Sequence, residues 1–333
     1  MIKPMKTILS TALFCATCIA PLAVYAQTSS VSLVFAGDIV LDGGPGKVVE
    51  KGHDPFAAFA SVFSSADIRV GNLECVVATK GVAEEKNFNF RANPRTLPIL
   101  KKHFDAVSIA NNHSGDFGRP AFEEMLGLLD QSGIKKFGGG HNLTEAHTPV
   151  LIERKGIKIA LLGYNEFMPR SFEADERGAG TAWSEDEQVV ADIKKAREFY
   201  HADLVIPVMH WGWENEPHSS ARQRQLAHLM IDAGADLIIG GHPHVTEEVE
   251  YYQGKLIVYS VGNFMIDALD NDAQTVGWVM KFNLEKTGLQ GWNTTIAHIN
   301  PQGIPTPGWN ESSPCGGKDA ASLGQCVNTK PAK

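Results

Sequence analysis

In Ala235-Asp-Leu-Ile-Ile-Gly-Gly-His-Pro-His244 an apolar run gives way to two glycines and then two histidines. Leu237 to Ile239 is a short apolar run and reads as a buried strand. Gly240 and Gly241 then let the backbone turn, and His242 and His244 come next, one residue apart. A rigid strand end carrying two neutral imidazoles is a place to hold a first-row transition metal. A polar turn with two unrelated histidines is the plainer reading, and the rest of the chain weighs against it.

Outward from this stretch the same pattern repeats. Short β-branched apolar runs at 31–35, 68–70, 106–109, 157–162, 204–208, 237–239 and 256–259 read as strands. Amphipathic stretches at 55–64, 94–102, 120–132, 185–200 and 219–233 read as helices. Pro55, Pro94 and Pro120 stand where a first-turn proline is tolerated, and Gly133 and Gly234 where helices end. The alternation predicts a buried, mostly parallel α/β sheet system. Every strand runs out into polar residues: Asp38, Asn72 and Glu74, Asn111 to His113, Asn165 and Glu166, His210 to Glu214, His242 and His244, and Asn263. In α/β folds the ligand site lies outside the strand C-termini, so seven such ends predict one shared site.

The donor set is Asp, Glu, Asn and His without thiolate. It suits Mn, Fe, Zn or Mg better than a structural zinc, which prefers cysteine. There are more candidate ligands than one tetrahedral ion uses, which points to one or two divalent ions, a pair sharing a carboxylate.

The chain has 333 residues, 43% hydrophobic and 20% charged, with a formal net charge of -8. That is a globular composition. The charge argues against a nucleic-acid partner, which needs a basic surface. Lys3 and Lys6, the apolar segment 7–24 and Val24-Tyr25-Ala26 form a secretory signal, so residues 1–26 are expected to be cleaved and the mature chain periplasmic or secreted. Cys315 and Cys326 fall in a Gly/Ser-rich tail, residues 302–333, that reads as flexible apart from any bridge between them. Cys75 sits among apolar residues and reads as a buried thiol.

Gly-Asp38, Asn72-Leu-Glu74, Asn111-Asn112-His113 with Asp116-Phe-Gly118, His210-Trp-Gly-Trp-Glu214, His242-Pro-His244 and Tyr259-Ser-Val-Gly-Asn263 occur in that order. This set resembles the CapA family, linked to capsule and poly-γ-glutamate biosynthesis, which is similar in fold to the calcineurin-like metallophosphoesterases. The resemblance covers about residues 31–297 and implies one domain, 27–301, built as a four-layer α/β/β/α sandwich. It implies Asp38 on a first metal, Glu74 bridging, Asn112 and His210 on a second, and His242 and His244 divided between the two. It implies His113 at the leaving group as general acid or transition-state stabiliser, with Asn111 beside it. The sequence departs from the superfamily at Asp38-Ile39-Val40, where Asp-x-His is usual; Asp42 is a differently spaced substitute.

Arg91 is a candidate for pairing with a carboxylate or phosphate. Trp211 and Trp213 either line a substrate groove or pack in the core, Glu214 is a candidate to orient His210, and Asn72 a candidate supporting residue beside the ligands. The functions these readings allow are a secreted metal-dependent hydrolase of an anionic envelope polymer or γ-glutamyl amide, a non-catalytic factor that binds the polymer beside its synthesis machinery, or a phosphoesterase.

Overall fold

A computed structural model describes residues 29–168 and 170–330, with residues 1, 2 and 4; the signal segment expected at residues 1–26 otherwise lies outside the described residues. Strands β1 (Val31–Ile39), β2 (Ile68–Leu73) and β3 (Ala106–Ser108) pair in parallel. In a second sheet β4 (Ile157–Asn165), β5 (Leu204–His210), β6 (Leu237–Gly241) and β7 (Lys255–Val258) do the same. These are the seven strands that the apolar runs predict. Strands β1, β2, β4, β5 and β6 continue two to four residues beyond those runs. Asp38, Asn72 and His210 therefore sit within strand ends rather than in the loops beyond them.

Three apolar clusters define four layers. Leu33 and Phe35 of β1 meet Ile159, Ile206 and Ile239 between the two sheets. Val34 and Ala36, on the other face of β1, meet Phe59, Phe63, Leu100, Phe122 and Met125 from the helices outside the first sheet. Leu162, Val205 and Ile238 meet Val189, Ile193, Leu226 and Met230 outside the second. The period-2 alternation of β1 thus buries one face on a sheet and the other on helices, giving the α/β/β/α sandwich.

The helices Gly118–Gln131, Asp186–Glu198 and Ala221–Asp232 lie where amphipathic spacing puts them. The last begins on Ser220 in a capping box with Gln223. Among the elements that escaped the sequence reading are a helix and an antiparallel pair. The helix Gly43–Glu50 is rich in glycine and has only two buried residues. The antiparallel pair β8 (Val276–Glu285) and β9 (Gly288–Ile299) has half-solvated strands whose apolar alternation is interrupted by Gly, Asn and Thr.

The tail expected to be flexible instead extends the first sheet. Pro305–Pro307 pairs with β9, β10 (Ser312–Gly317) pairs with β9 as well, and β11 (Gly324–Val327) pairs with β10. Cys315 and Cys326 are joined as a disulfide across that outer pair. The edge position explains the polar composition: one face of such a strand meets water. Cys75 is buried, receives the Leu41 N–H on its sulfur, and burial pushes its thiol up to about 12, so it is not a nucleophile. No helix among the described residues is long and apolar enough to cross a membrane.

Candidate metal centre

The parallel strands of both sheets end toward the same place, and backbone irregularities aim their last side chains into it. The pairing of β1 with β2 slips between Ala36 and Asp38, and its pairing with Asn263–Met265 slips again after Asp38. A slip of this kind bends the strand and redirects one side chain. Asp38 is left between Asn72 on one side and Asn263 on the other. Across from it, a Cβ on Gly240 would stand 2.0 Å from the Tyr259 carbonyl oxygen, so only glycine lets β6 approach that strand. His242 and His244 then take φ of 95° and 60°. Left-handed backbone at a residue other than glycine costs about 1–3 kcal/mol and concentrates at functional sites.

Three sets of ligand atoms lie within 4.8 Å of one another: Asp38, Glu74 and His244; Glu74, His210 and His242; Glu214, His242 and His244. Glu74 belongs to two of them and is fully buried. Its backbone N–H donates to the Ile39 carbonyl at 2.9 Å, which fixes it just beyond the end of β2. His210 Nε2 lies 2.7 Å from Asn112 Oδ1, 3.1 Å from His242 Nδ1 and 3.3 Å from Glu74 Oε1. One proton on that nitrogen satisfies one such contact, so the other donor atoms converge with no hydrogen to share. Asp38 Oδ2, both Glu74 carboxylate oxygens and His242 Nε2 are buried without a hydrogen-bond partner. Orphaned buried carboxylate oxygens are costly unless a cation meets them. The residues therefore fit divalent metal: Glu74 shared, Asp38 and His244 toward one position, His210, His242 and Asn112 toward the other.

The electrostatics agree. Burial pushes His210 down to about 4, against the pull of Asp38, and burial lowers His242 well below the usual histidine value. Both are neutral, as ligands must be. Burial and the Asp38 charge hold the Glu74 carboxyl well above the usual range in the metal-free protein. At His244 burial opposes the charged ring, and the Glu74 and Asp38 carboxylates outweigh it and raise the pKa.

Supporting bonds fix the set. Asn72 Nδ2 donates to Asp38 Oδ1 at 2.8 Å and also faces His210 Nδ1 at 3.3 Å. Asn263 Oδ1 accepts from His244 Nδ1 at 2.8 Å, leaving Nε2 free to act as a ligand. The Phe167 ring lies 3.8 Å from the His242 ring. Sequence reading named Asn263 only as a strand end and missed Phe167, because contact across loops leaves no local pattern. Beside the cluster, His113 Nδ1 donates to Asp116 Oδ2 at 2.8 Å, Asp116 is fully buried, the Phe90 N–H donates to the same oxygen, and Lys86 pairs with Oδ1. Burial lowers His113, so its Nε2 carries a free lone pair.

Several expected site residues stand elsewhere. Trp211 is fully buried and donates from Nε1 to the Tyr259 carbonyl; it is core, because it faces the helix layer of the second sheet. Trp213 is 66% exposed and packs its edge on Phe167, so the alternating pair splits between interior and surface. Asn111 gives Nδ2 to Asn72 Oδ1 and the Leu73 carbonyl and takes the His113 N–H and the Ser114 hydroxyl on Oδ1. Its side-chain oxygen and nitrogen thus brace the loop that carries His113 and Ser114. Glu214 does not orient His210, which Asn72 and Asn112 hold; its carboxylate lies instead with His242 and His244. Asp42 Oδ2 accepts the Arg91 N–H and is not in the cluster, so it does not replace the histidine missing at Val40. Arg91 lines a separate hollow.

The sandwich, with an Asp, Glu, Asn and His cluster at the converging strand ends, defines a metallophosphoesterase-like α/β/β/α protein, and the fold is shared with a hypothetical protein from Thermus thermophilus at a TM-score of 0.51 and 16% identity over 80% of this chain and 98% of that one. Within that class the model for the bacterial capsule synthesis protein PGA_cap matches residues 32–268, and the chain belongs to this family. It is 31% identical over 290 residues to the PGA biosynthesis protein CapA of Bacillus subtilis (strain 168), covering 83% of this chain and 73% of that protein. It is 28% identical over 250 residues to the capsule biosynthesis protein CapA of Bacillus anthracis, covering 72% of this chain and 61% of that one.

Proposed function

We propose that this chain is a metal-dependent hydrolase of the cell envelope that cuts γ-glutamyl amide bonds during synthesis or processing of poly-γ-glutamate, beside the machinery that makes the polymer. The observation that carries the reading is Glu74: a fully buried carboxylate, both oxygens unpartnered, shared by two ligand sets. Names of the relatives, a PGA biosynthesis protein and a capsule biosynthesis protein, supply the polymer. A chain exported by the segment at residues 1–26 meets that polymer outside the cytoplasm.

Asp38, Glu74, Asn112, His210, His242 and His244 would hold divalent ions, which would supply Lewis acidity and lower the pKa of water toward neutrality. The chain does the rest. His113, neutral and oriented through Nδ1 by Asp116, takes the proton of the attacking water on Nε2 and returns it to the departing amide nitrogen. The carboxylate of Asp116 holds the ring while it is charged, and Lys86 and the Phe90 N–H keep that carboxylate in place. The product carboxylate and amine balance the water consumed.

The test is metal analysis of the purified chain, followed by assays of γ-glutamyl amides and a generic phosphodiester with and without chelator. One or two divalent ions per chain and chelator-sensitive release of amine are expected. Faster turnover of the phosphodiester would make it a phosphoesterase. Polymer binding without turnover, indifferent to chelator, would make it a binding factor, the reading that Val40 in place of the usual histidine favours.

A further inference from the structure

An anionic chain held by a protein of net charge -8 needs a local cationic foothold. In two of the hollows on the surface the cations are committed, and a third has none. Lys86 is bound to Asp116 and the Asn112 carbonyl, and Arg119 to the Ala179 and Glu173 carbonyls, in the hollow beside Asn112. Arg222 is bound to Glu166 and Asp186 in the hollow beside Trp213. The small hollow at His113 and His244 has no lysine or arginine and carries Glu214 and Asp270.

The hollow between the helix Gly43–Glu50 and the segment 91–96 is different. It encloses about 260 Å³ and is lined by Lys47, Arg91 and Arg95. Of its two acids, Glu50 pairs with Arg95 at 3.1 Å, and Asp42 Oδ2 accepts the backbone N–H of Arg91 at 2.9 Å. Lys47 Nζ has no partner among the described residues, and the Arg91 guanidinium, stacked 4.2 Å above the Phe117 ring, makes one long hydrogen bond of 3.4 Å to the Lys80 carbonyl. Lys47 and Arg91 line the same hollow, and a guanidinium fixed by stacking with donors to spare, together with a free ammonium, offers the charge and donors that a carboxylate takes. The hollow is tied to the metal cluster through the backbone: Arg91 pairs with Val76, two residues beyond Glu74, and Asp42 lies four residues beyond Asp38.

We propose that this hollow is an anchoring subsite for a carboxylate of an anionic chain, separate from the metal cluster, with Lys47 and Arg91 as its contacts. The identity of the chain as a γ-linked glutamate polymer rests on the function proposed above; the cationic subsite rests on the geometry of the hollow.

The test is calorimetric titration of the metal-stripped chain, in chelator, with γ-linked glutamate oligomers, with the same oligomers amidated at their α-carboxylates, and with inorganic phosphate. The acidic oligomer is expected to bind, to weaken as salt rises, and to lose at least about tenfold in affinity in Lys47→Glu and in Arg91→Gln. The amidated oligomer is expected not to bind, and Glu74→Gln to bind as the wild type does. Thermal melting checks that each variant is folded, and Lys47, being exposed, gives a variant whose fold does not depend on it. Equal binding of both variants and the wild type, equal binding of the amidated oligomer, or binding of phosphate alone would overturn the subsite. Chelator-sensitive hydrolysis of the same oligomer by the metal-loaded wild type is measured in parallel, so loss of the subsite is told apart from loss of the proposed reaction.

Discussion

His113 Nδ1 and Asp116 Oδ2 lie 2.8 Å apart across a turn of three residues, with Asp116 fully buried. A carboxylate in that place selects the tautomer with hydrogen on Nδ1 and supports the charged ring. Asp116→Asn presents an amide N–H or carbonyl where the carboxylate stood and removes the charge. It is expected to lower kcat about a hundredfold to ten-thousandfold, to leave KM little changed, and to move the acidic limb of the pH–rate profile to lower pH, since the Asp116 carboxylate raises the His113 pKa. Metal content should stay at the wild-type level, because Asp116 is not in the ligand sets.

Glu74→Gln keeps the shape of the shared ligand and removes its charge. Bound metal is expected to fall by at least one ion per chain. The gain in melting temperature that added divalent metal gives the wild type should fall with it; saturation at a hundredfold over Kd contributes about 2.7 kcal/mol. Elemental analysis and melting with and without chelator read both.

Much of this was legible in the sequence, and the boundary is physical. The seven strand cores and the helices Gly118–Gln131, Asp186–Glu198 and Ala221–Asp232 follow from periodicity, since each buries a continuous apolar face in one of three apolar clusters. The stretches expected as helices at 55–64 and 94–102 each open instead on a 3-10 turn before a short helix. The candidate ligands Asp38, Glu74, His210, His242 and His244 were visible because parallel strands put their C-termini on one side. What could not be read was direction. Trp211 and Trp213 are two residues apart just past β5, and the chain turns at Gly212 between them, where φ is 82°, sending one ring inward and the other out. Asn111 and Asn112 are adjacent and alike, yet one braces the loop and the other faces the cluster. Arg91 was visible as a charge, but the hollow that gives it a role needs Lys47 from another element.

The two tryptophans give a prediction of their own. Trp211→Ala empties a fully buried site and is expected to cost about 3–5 kcal/mol, read by denaturant unfolding. Trp213→Ala removes an exposed ring and should change stability by no more than about 0.5 kcal/mol. If the ring forms part of the substrate path beside Phe167, KM rises in Trp213→Ala with the melting curve unmoved.

Glu247 gives the chain a pH dependence away from the cluster. It is buried, burial pushes its carboxyl up to about 7, and the Gln223 amide donating at 2.8 Å only partly offsets this. In the unfolded chain a glutamate titrates near about 4.3. Below that pH both states are protonated and the group has no effect. Between the two values the folded state keeps the proton that the unfolded state releases, so stability falls as pH rises toward about 7 and stays lower above it. Glu247→Gln, neutral at every pH, is expected to melt higher than the wild type at pH 8 and to show no gain at pH 4. Both are measured in chelator, so that metal binding does not enter.

The Cys315–Cys326 bond closes a loop with a sequence separation of 11 and staples β10 to β11 at the edge of the first sheet. Closing a loop of that size in the unfolded chain is worth about 3 kcal/mol in the chain-entropy account. The bond also holds an outermost strand that is mostly exposed and has few apolar contacts to keep it paired. Replacing both cysteines with serine is therefore expected to act locally first. Amide exchange should speed up across 312–327 while β1, β2 and the strands of the second sheet stay protected. Metal content and catalytic rate should be unchanged, because no ligand lies on those strands. Uniform loss of protection through both sheets would mean that the edge is part of the global folding unit.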